Sequence, residues 1–147
     1  MKTRVLLVDD DPSVASALGR VLSAGGYDVR YARNGRVAID ELSAHGRLRL
    51  ILLDLSMPEM GGWDAFERLT AMAPSVPVVV ITARPDQQPL AAVAGVDALM
   101  EKPLNIPRLL ETIESLLAER PAARRTRLAA QSRGSVILQP KTSKAVR

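Results

Sequence analysis

Short, wholly apolar runs alternate along this chain with longer stretches whose apolar residues recur every third or fourth position. The first run, VLLV (5–8), has the length and uniformity of a strand buried on both faces. PSVASALGRVLSAGG (12–26) follows with helical spacing: Val14, Leu18, Val21 and Leu22 share one face, and Gly25-Gly26 supplies a stop. YDVRYA (27–32) alternates as a half-buried strand. Asn34 then opens a helix that turns Ala38, Ile39 and Leu42 inward and ends near Gly46.

The second half repeats the scheme. LRLILLD (48–54) reads as a third strand running into a loop shaped by Met57-Pro58 and Gly61-Gly62. WDAFERLTAM (63–72) is a helix stopped before Pro74, with Trp63 and Phe66 expected in core or edge packing. VPVVVITA (76–83) is the most apolar strand and should be central. A brief helix near 88–94, interrupted by proline, precedes the strand VDALME (96–101) and the helix NIPRLLETIESLLAER (105–120). Pro107 sits in the first turn of that helix, where a missing N–H costs little. Five strands alternating with five helices predict an α/β fold, a doubly wound five-stranded parallel sheet with right-handed crossovers and helices on both faces.

Composition narrows the setting. The 147 residues suffice for one domain with a real core. No apolar stretch approaches the roughly 20 residues that span a membrane, and no signal-peptide pattern opens the chain. The absence of cysteine excludes thiol catalysis and suits a cytoplasmic location. The lone histidine, His45, cannot build a metal site by itself and reads as a surface residue near a helix end. The net charge of +4 hides a split: residues 1–119 carry 12 Lys/Arg and 16 Asp/Glu, whereas residues 120–147 carry 8 Lys/Arg and no acid. The expected organisation is therefore a domain over 1–120 and a basic, disordered tail over 121–147.

In open parallel sheets, ligands bind beyond the carboxyl ends of the strands. Polar residues mark those ends here: Asp9 and Asp10 after strand one, Asp54 after strand three, Thr82 after strand four and Lys102 after strand five. If these strands are neighbours, the residues converge on one pocket. Clustered carboxylates repel one another unless a cation neutralises them, and hard oxygen ligands with room for water favour Mg²⁺. A lysine and a hydroxyl opposite the metal would clamp a phosphoryl group, and a free aspartate beside it could act as nucleophile. Asp11 directly precedes Pro12, so it fits a helix N-cap with proline at the first helical position.

LLVDDDP, LLDLSMPEMGG, VVVITA and MEKP resemble the four motifs of the CheY-like receiver domain of two-component response regulators, in the same order. The resemblance covers residues 4 to 119 and implies the flavodoxin-like strand order 2-1-3-4-5. It implies that Asp54 is the phosphoacceptor, that Asp10 binds Mg²⁺ directly and Asp9 mostly through water, and that Asp54 and the Ser56 backbone carbonyl complete the protein ligands. Thr82 would donate its hydroxyl to the phosphoryl group and Lys102 would pair with it, aimed by a Lys102-Pro103 bond similar to one that is cis in the family. Ser56 and Arg84, two positions beyond Asp54 and Thr82, would tune loss of the phosphoryl group. Leu99 departs from the family, where this position is usually aromatic, so a switch would rest on packing. The stretch from Thr82 to Lys102 is also shorter than usual and carries Pro85 and Pro89, which predicts a short or distorted helix there.

The resemblance implies a single-domain response regulator: a phosphorylation-gated binding module that serves a sensor histidine kinase or phosphotransfer protein and an unidentified downstream protein, and no true enzyme. Two other readings compete. DDDPS is similar to the Asp-x-Asp motif of haloacid-dehalogenase-like phosphatases, with Asp9 as nucleophile and Asp11 as acid; the chain lacks their late acidic pair. Alternatively, a receiver-like scaffold acts without phosphate. The basic tail could touch nucleic acid through phosphates, but it lacks interleaved aromatics, and a solvated tail touching an acidic partner fits it better.

Overall fold

Each apolar run becomes a strand and each periodic stretch within the described residues becomes a helix. The computed structural model describes residues 2–44, 46–55, 62–83 and 95–132. Along the chain these form β1 (Thr3–Val8), α1 (Pro12–Ala24), β2 (Tyr27–Ala32), α2 (Gly35–Ala44), β3 (Leu48–Asp54), α3 (Gly62–Met72), β4 (Val78–Thr82), β5 (Ala98–Glu101), α4 (Ile106–Ala118) and α5 (Pro121–Ser132). The strands form one five-stranded sheet in the order β2-β1-β3-β4-β5. The chain divides into two compact units between Val76 and Pro77.

In the first unit β1 pairs in parallel with both β2 and β3. Val5–Val8 and Leu50–Leu53 are buried at every position, so side chains of both parities are covered, as a parallel sheet flanked on both faces requires. Full burial of each such leucine or valine contributes about 1.5–3 kcal/mol, which is what locks the strand ends in place. β2 lacks the expected alternation: it is an edge strand, largely half-buried, and Tyr31 stands 48% exposed. Arg4 and Asp28 face each other across β1 and β2 as an ion pair at 3.0 Å, too exposed to add more than about 1 kcal/mol.

Local signals act as the sequence predicts. Asp11 caps α1 by accepting from the Ser13 amide at 2.9 Å, with Pro12 in the first turn. Asn34 accepts from the Val37 amide at 2.9 Å. α1 ends at Gly25, and Gly26 follows at φ +96°, a conformation that a β-carbon would strain. Leu18, Leu22, Ala38 and Leu42 are buried, while Val14, Val21 and Ile39 sit half-buried at the margins of the same faces.

In the second unit β4 and β5 run parallel, from the Val79–Ala98 pair to the Thr82–Glu101 pair. β4 is buried throughout and lies inside the sheet, with β3 rather than β4 at its middle. Asn105 caps α4 by accepting from the Arg108 amide at 3.1 Å. The brief helix anticipated near 88–94, with Pro85 and Pro89, lies outside the described residues. One expectation is corrected. The lack of apolar periodicity after 120 predicts no structure, yet Pro121–Ser132 is helical. Alanine and arginine are strong helix formers, Pro121 occupies the first turn, and the helix is held by polar side chains rather than an apolar stripe. Residues 133–147 lie outside the described residues.

Candidate functional site

The register of β1 on β3 builds the site. Val8 pairs with Leu53, so the next residue on each strand, Asp9 and Asp54, leaves the sheet at the same level. Continuous burial up to Val8 and Leu53 carries both carboxylates to the rim of the apolar core, where Asp54 is only 2% exposed. The Asp9 amide donates to the Ala32 carbonyl at 3.0 Å, extending the β1–β2 ladder by one residue. The Asp9 carboxylate accepts from the Asp11 amide at 2.9 Å, which fixes its direction.

Asp9, Asp10 and Asp54 each offer a carboxylate oxygen, and these atoms lie within 4.8 Å of one another. Asp9 and Asp54 are buried, whereas Asp10 is exposed. Three like charges at this spacing call for a counter-cation. The donor set is entirely hard oxygen, and the exposed side at Asp10 leaves room for water, so the residues fit Mg²⁺, which takes few protein ligands and keeps several waters. Asp11 is not part of this cluster; its carboxylate faces the α1 amides. That deprives the dehalogenase-like reading of its acid.

The second unit carries the remaining candidates. Thr82 closes β4 and is buried. The Lys102 amide donates to the Thr82 carbonyl at 2.9 Å, which continues the β4–β5 ladder. Lys102 is half-buried, and the Lys102-Pro103 bond is cis. Leu99, opposite Val80 in register, is buried. Phe66 is buried and Trp63 packs edge-on against it at 5.8 Å, so both serve packing. Ser56, Met57-Pro58, Arg84 and His45 lie outside the described residues.

Sequence reasoning missed the role of Gly62. It is buried at the start of α3 against Leu55, the residue after Asp54, so closely that a β-carbon would overlap the Leu55 backbone. Gly61-Gly62 is legible only as a loop signal, because the contact partner is seven residues away in sequence.

Residues 5–114 match the family model described as the response regulator receiver domain. The chain belongs to that family. Among curated relatives, the response regulator MprA of Mycolicibacterium vanbaalenii is 37% identical over 119 residues, covering 80% of this chain and 51% of the relative. MprA of Mycobacterium leprae is 33% identical over 146 residues, covering 98% of this chain and 64% of the relative. This receiver thus spans about half the length of the first of these relatives. Among solved structures, chemotaxis protein CheY4 of Vibrio cholerae superposes with a TM-score of 0.72 at 27% identity, covering 79% of this chain and 99% of that one. TrrA of Thermotoga maritima, crystallised with Mg²⁺ and BeF, gives a TM-score of 0.72 at 28% identity over the same shares. The receiver is accordingly a component of two-component phosphorelay signalling. No described helix of it is long and apolar enough to cross a membrane.

Proposed function

We propose that this receiver takes a phosphoryl group from a phosphohistidine onto Asp54 in the presence of Mg²⁺. The observation that carries this reading is the cluster of Asp9, Asp10 and Asp54 carboxylates within 4.8 Å, with Asp54 at the buried end of β3. Asp54 is the nucleophile: its carboxylate oxygen forms a bond to phosphorus as the P–N bond to the donor imidazole breaks. The electron pair stays on the departing nitrogen, which takes a proton. Asp10, with Asp54, would hold the metal directly and Asp9, oriented by the Asp11 amide, mostly through water; the family resemblance adds the Ser56 backbone carbonyl. Bound Mg²⁺ neutralises the phosphoryl oxygens and the acidic cluster.

By the family resemblance, Thr82 donates its hydroxyl to the phosphoryl group and Lys102 pairs with it. Ser56 and Arg84 tune access of water to the acyl phosphate. Leu99 replaces the usual aromatic switch residue with an apolar side chain, so the response to phosphorylation runs through packing. The product is a binding module with two surface states, which needs a bias of only a few kcal/mol to change its partner. Its donor is a sensor histidine kinase or histidine phosphotransfer protein, its reader a downstream protein, and its setting the cytoplasm. It turns over no separate substrate.

The test is intact-mass analysis after incubation with acetyl phosphate and Mg²⁺. Wild type should gain one phosphoryl group and Asp54→Asn none. Labelling of Asp54→Asn with loss of labelling in Asp9→Asn would move the nucleophile to Asp9 and overturn the proposal.

A further inference from the structure

The phosphotransfer reading makes no use of Asp97, the residue before β5, which is fully buried. A lone carboxylate there would carry a heavy desolvation cost. It is instead surrounded by donors. One oxygen, Oδ2, accepts from the Val78 amide at 2.9 Å and from Arg124 Nη2 at 3.1 Å. The other, Oδ1, accepts from Arg124 Nε at 2.8 Å and Arg127 Nη2 at 2.7 Å.

Both arginines come from α5. Arg127 also forks onto Glu119, which closes α4, with Nε–Oε2 at 3.0 Å and Nη2–Oε1 at 2.8 Å. Its Nη1 reaches Gln131 Oε1 at 3.0 Å. Gln131, only 2% exposed, donates in turn to the Val96 carbonyl at 2.8 Å. Arg124, Arg127 and Gln131 are spaced by three and four residues, so they lie along one face of the helix. With Asp97 and Glu119 the arginines make a cluster of two positive and two negative charges. The Arg124 and Arg127 side chains are 12% and 20% exposed, so these are desolvated pairs rather than surface ion pairs. Burial alone would lower the basicity of Arg127, but its bonds to Glu119 and Asp97 and the attraction of both charges raise it on balance.

We propose that α5 is a strap, docked through Arg124, Arg127 and Gln131 onto the Val96–Asp97 entrance of β5, and that the folded receiver extends to residue 132. The strap ties the chain beyond 132 to the strand that leads into Lys102. It also removes two of the eight basic residues after 119 from any role toward an anionic partner, since their charge is neutralised inside the domain.

The test compares four full-length proteins by amide exchange and urea unfolding: wild type, Arg124→Gln/Arg127→Gln, Asp97→Asn, and the triple variant. The double variant should exchange amides over 121–132 about tenfold faster or more and unfold at lower urea, because Asp97 keeps its charge without a cation. Asp97→Asn alone should also free the helix. Added to the double variant it should raise the midpoint, since the amide still accepts from Val78 and the fully buried charge at 97 is gone. If the double variant does not fold, Gln131→Ala serves: exchange over 121–132 should quicken while that over 106–118 holds. Unchanged exchange in the double variant or in Gln131→Ala overturns the proposal. So does Asp97→Asn lowering the midpoint equally in both backgrounds.

Discussion

Gly62 opens α3 against Leu55, the residue that follows Asp54: a methyl on the Gly62 α-carbon would lie 2.6 Å from the Leu55 α-carbon and 2.9 Å from its carbonyl oxygen. The opposing atoms are backbone, which cannot swing aside like the end of a long side chain. Gly62→Ala should therefore displace Leu55 or the start of α3. Overpacking costs about 1–3 kcal/mol, against a gain of about 0.4–1 kcal/mol from a less flexible unfolded chain. Net destabilisation is expected in urea unfolding followed by Trp63 fluorescence, together with slower labelling of Asp54. Unchanged stability and labelling would mean that this approach has no bearing on the site.

Asp11 stands beside two metal-ligand candidates yet has a separable job. Asp11→Ala removes the carboxylate that accepts from the Ser13 amide but keeps the backbone N–H that orients Asp9. Stability should fall by about 1 kcal/mol, the usual worth of such a cap. The Mg²⁺ affinity, read by titration, should stay near that of wild type. A large loss of affinity would put Asp11 in the metal site.

Magnesium should act on stability through the acidic cluster. At ten times its dissociation constant Mg²⁺ should stabilise wild type by about 1.4 kcal/mol, and a chelator should remove that gain. Asp9→Asn should weaken the Mg²⁺ effect. Without metal it should be no less stable than wild type, because it relieves repulsion and still accepts from the Asp11 amide. Thermal unfolding of both proteins with and without Mg²⁺ checks this. A full Mg²⁺ effect in Asp9→Asn would exclude Asp9 as a ligand.

The first-unit site was legible because its residues terminate strands that pattern alone identifies. Once VLLV and LRLILLD are strands, Asp9 and Asp54 must emerge at their ends, and Asp11 before Pro12 declares its cap. The α5 strap was not legible in the same way. Apolar periodicity detects helices that dock by burying hydrocarbon, whereas this one docks by Arg124 and Arg127 against a charge 27 and 30 residues upstream and by Gln131 against the Val96 carbonyl. Nothing local to PAARRTRLAAQS distinguishes a solvated basic run from one whose arginines meet a buried aspartate. Gly62 was hidden for a related reason: its requirement is set by a contact across a loop, not by its neighbours in sequence.

The central claim is that Asp54 is the group that becomes phosphorylated. An aspartyl phosphate is reduced by borohydride to homoserine, so peptide mapping after treatment with acetyl phosphate, Mg²⁺ and borohydride reads the site directly. Homoserine at position 54 and at no other aspartate is the predicted result. Homoserine at Asp9, Asp10 or Asp11 with position 54 unmodified would contradict the account.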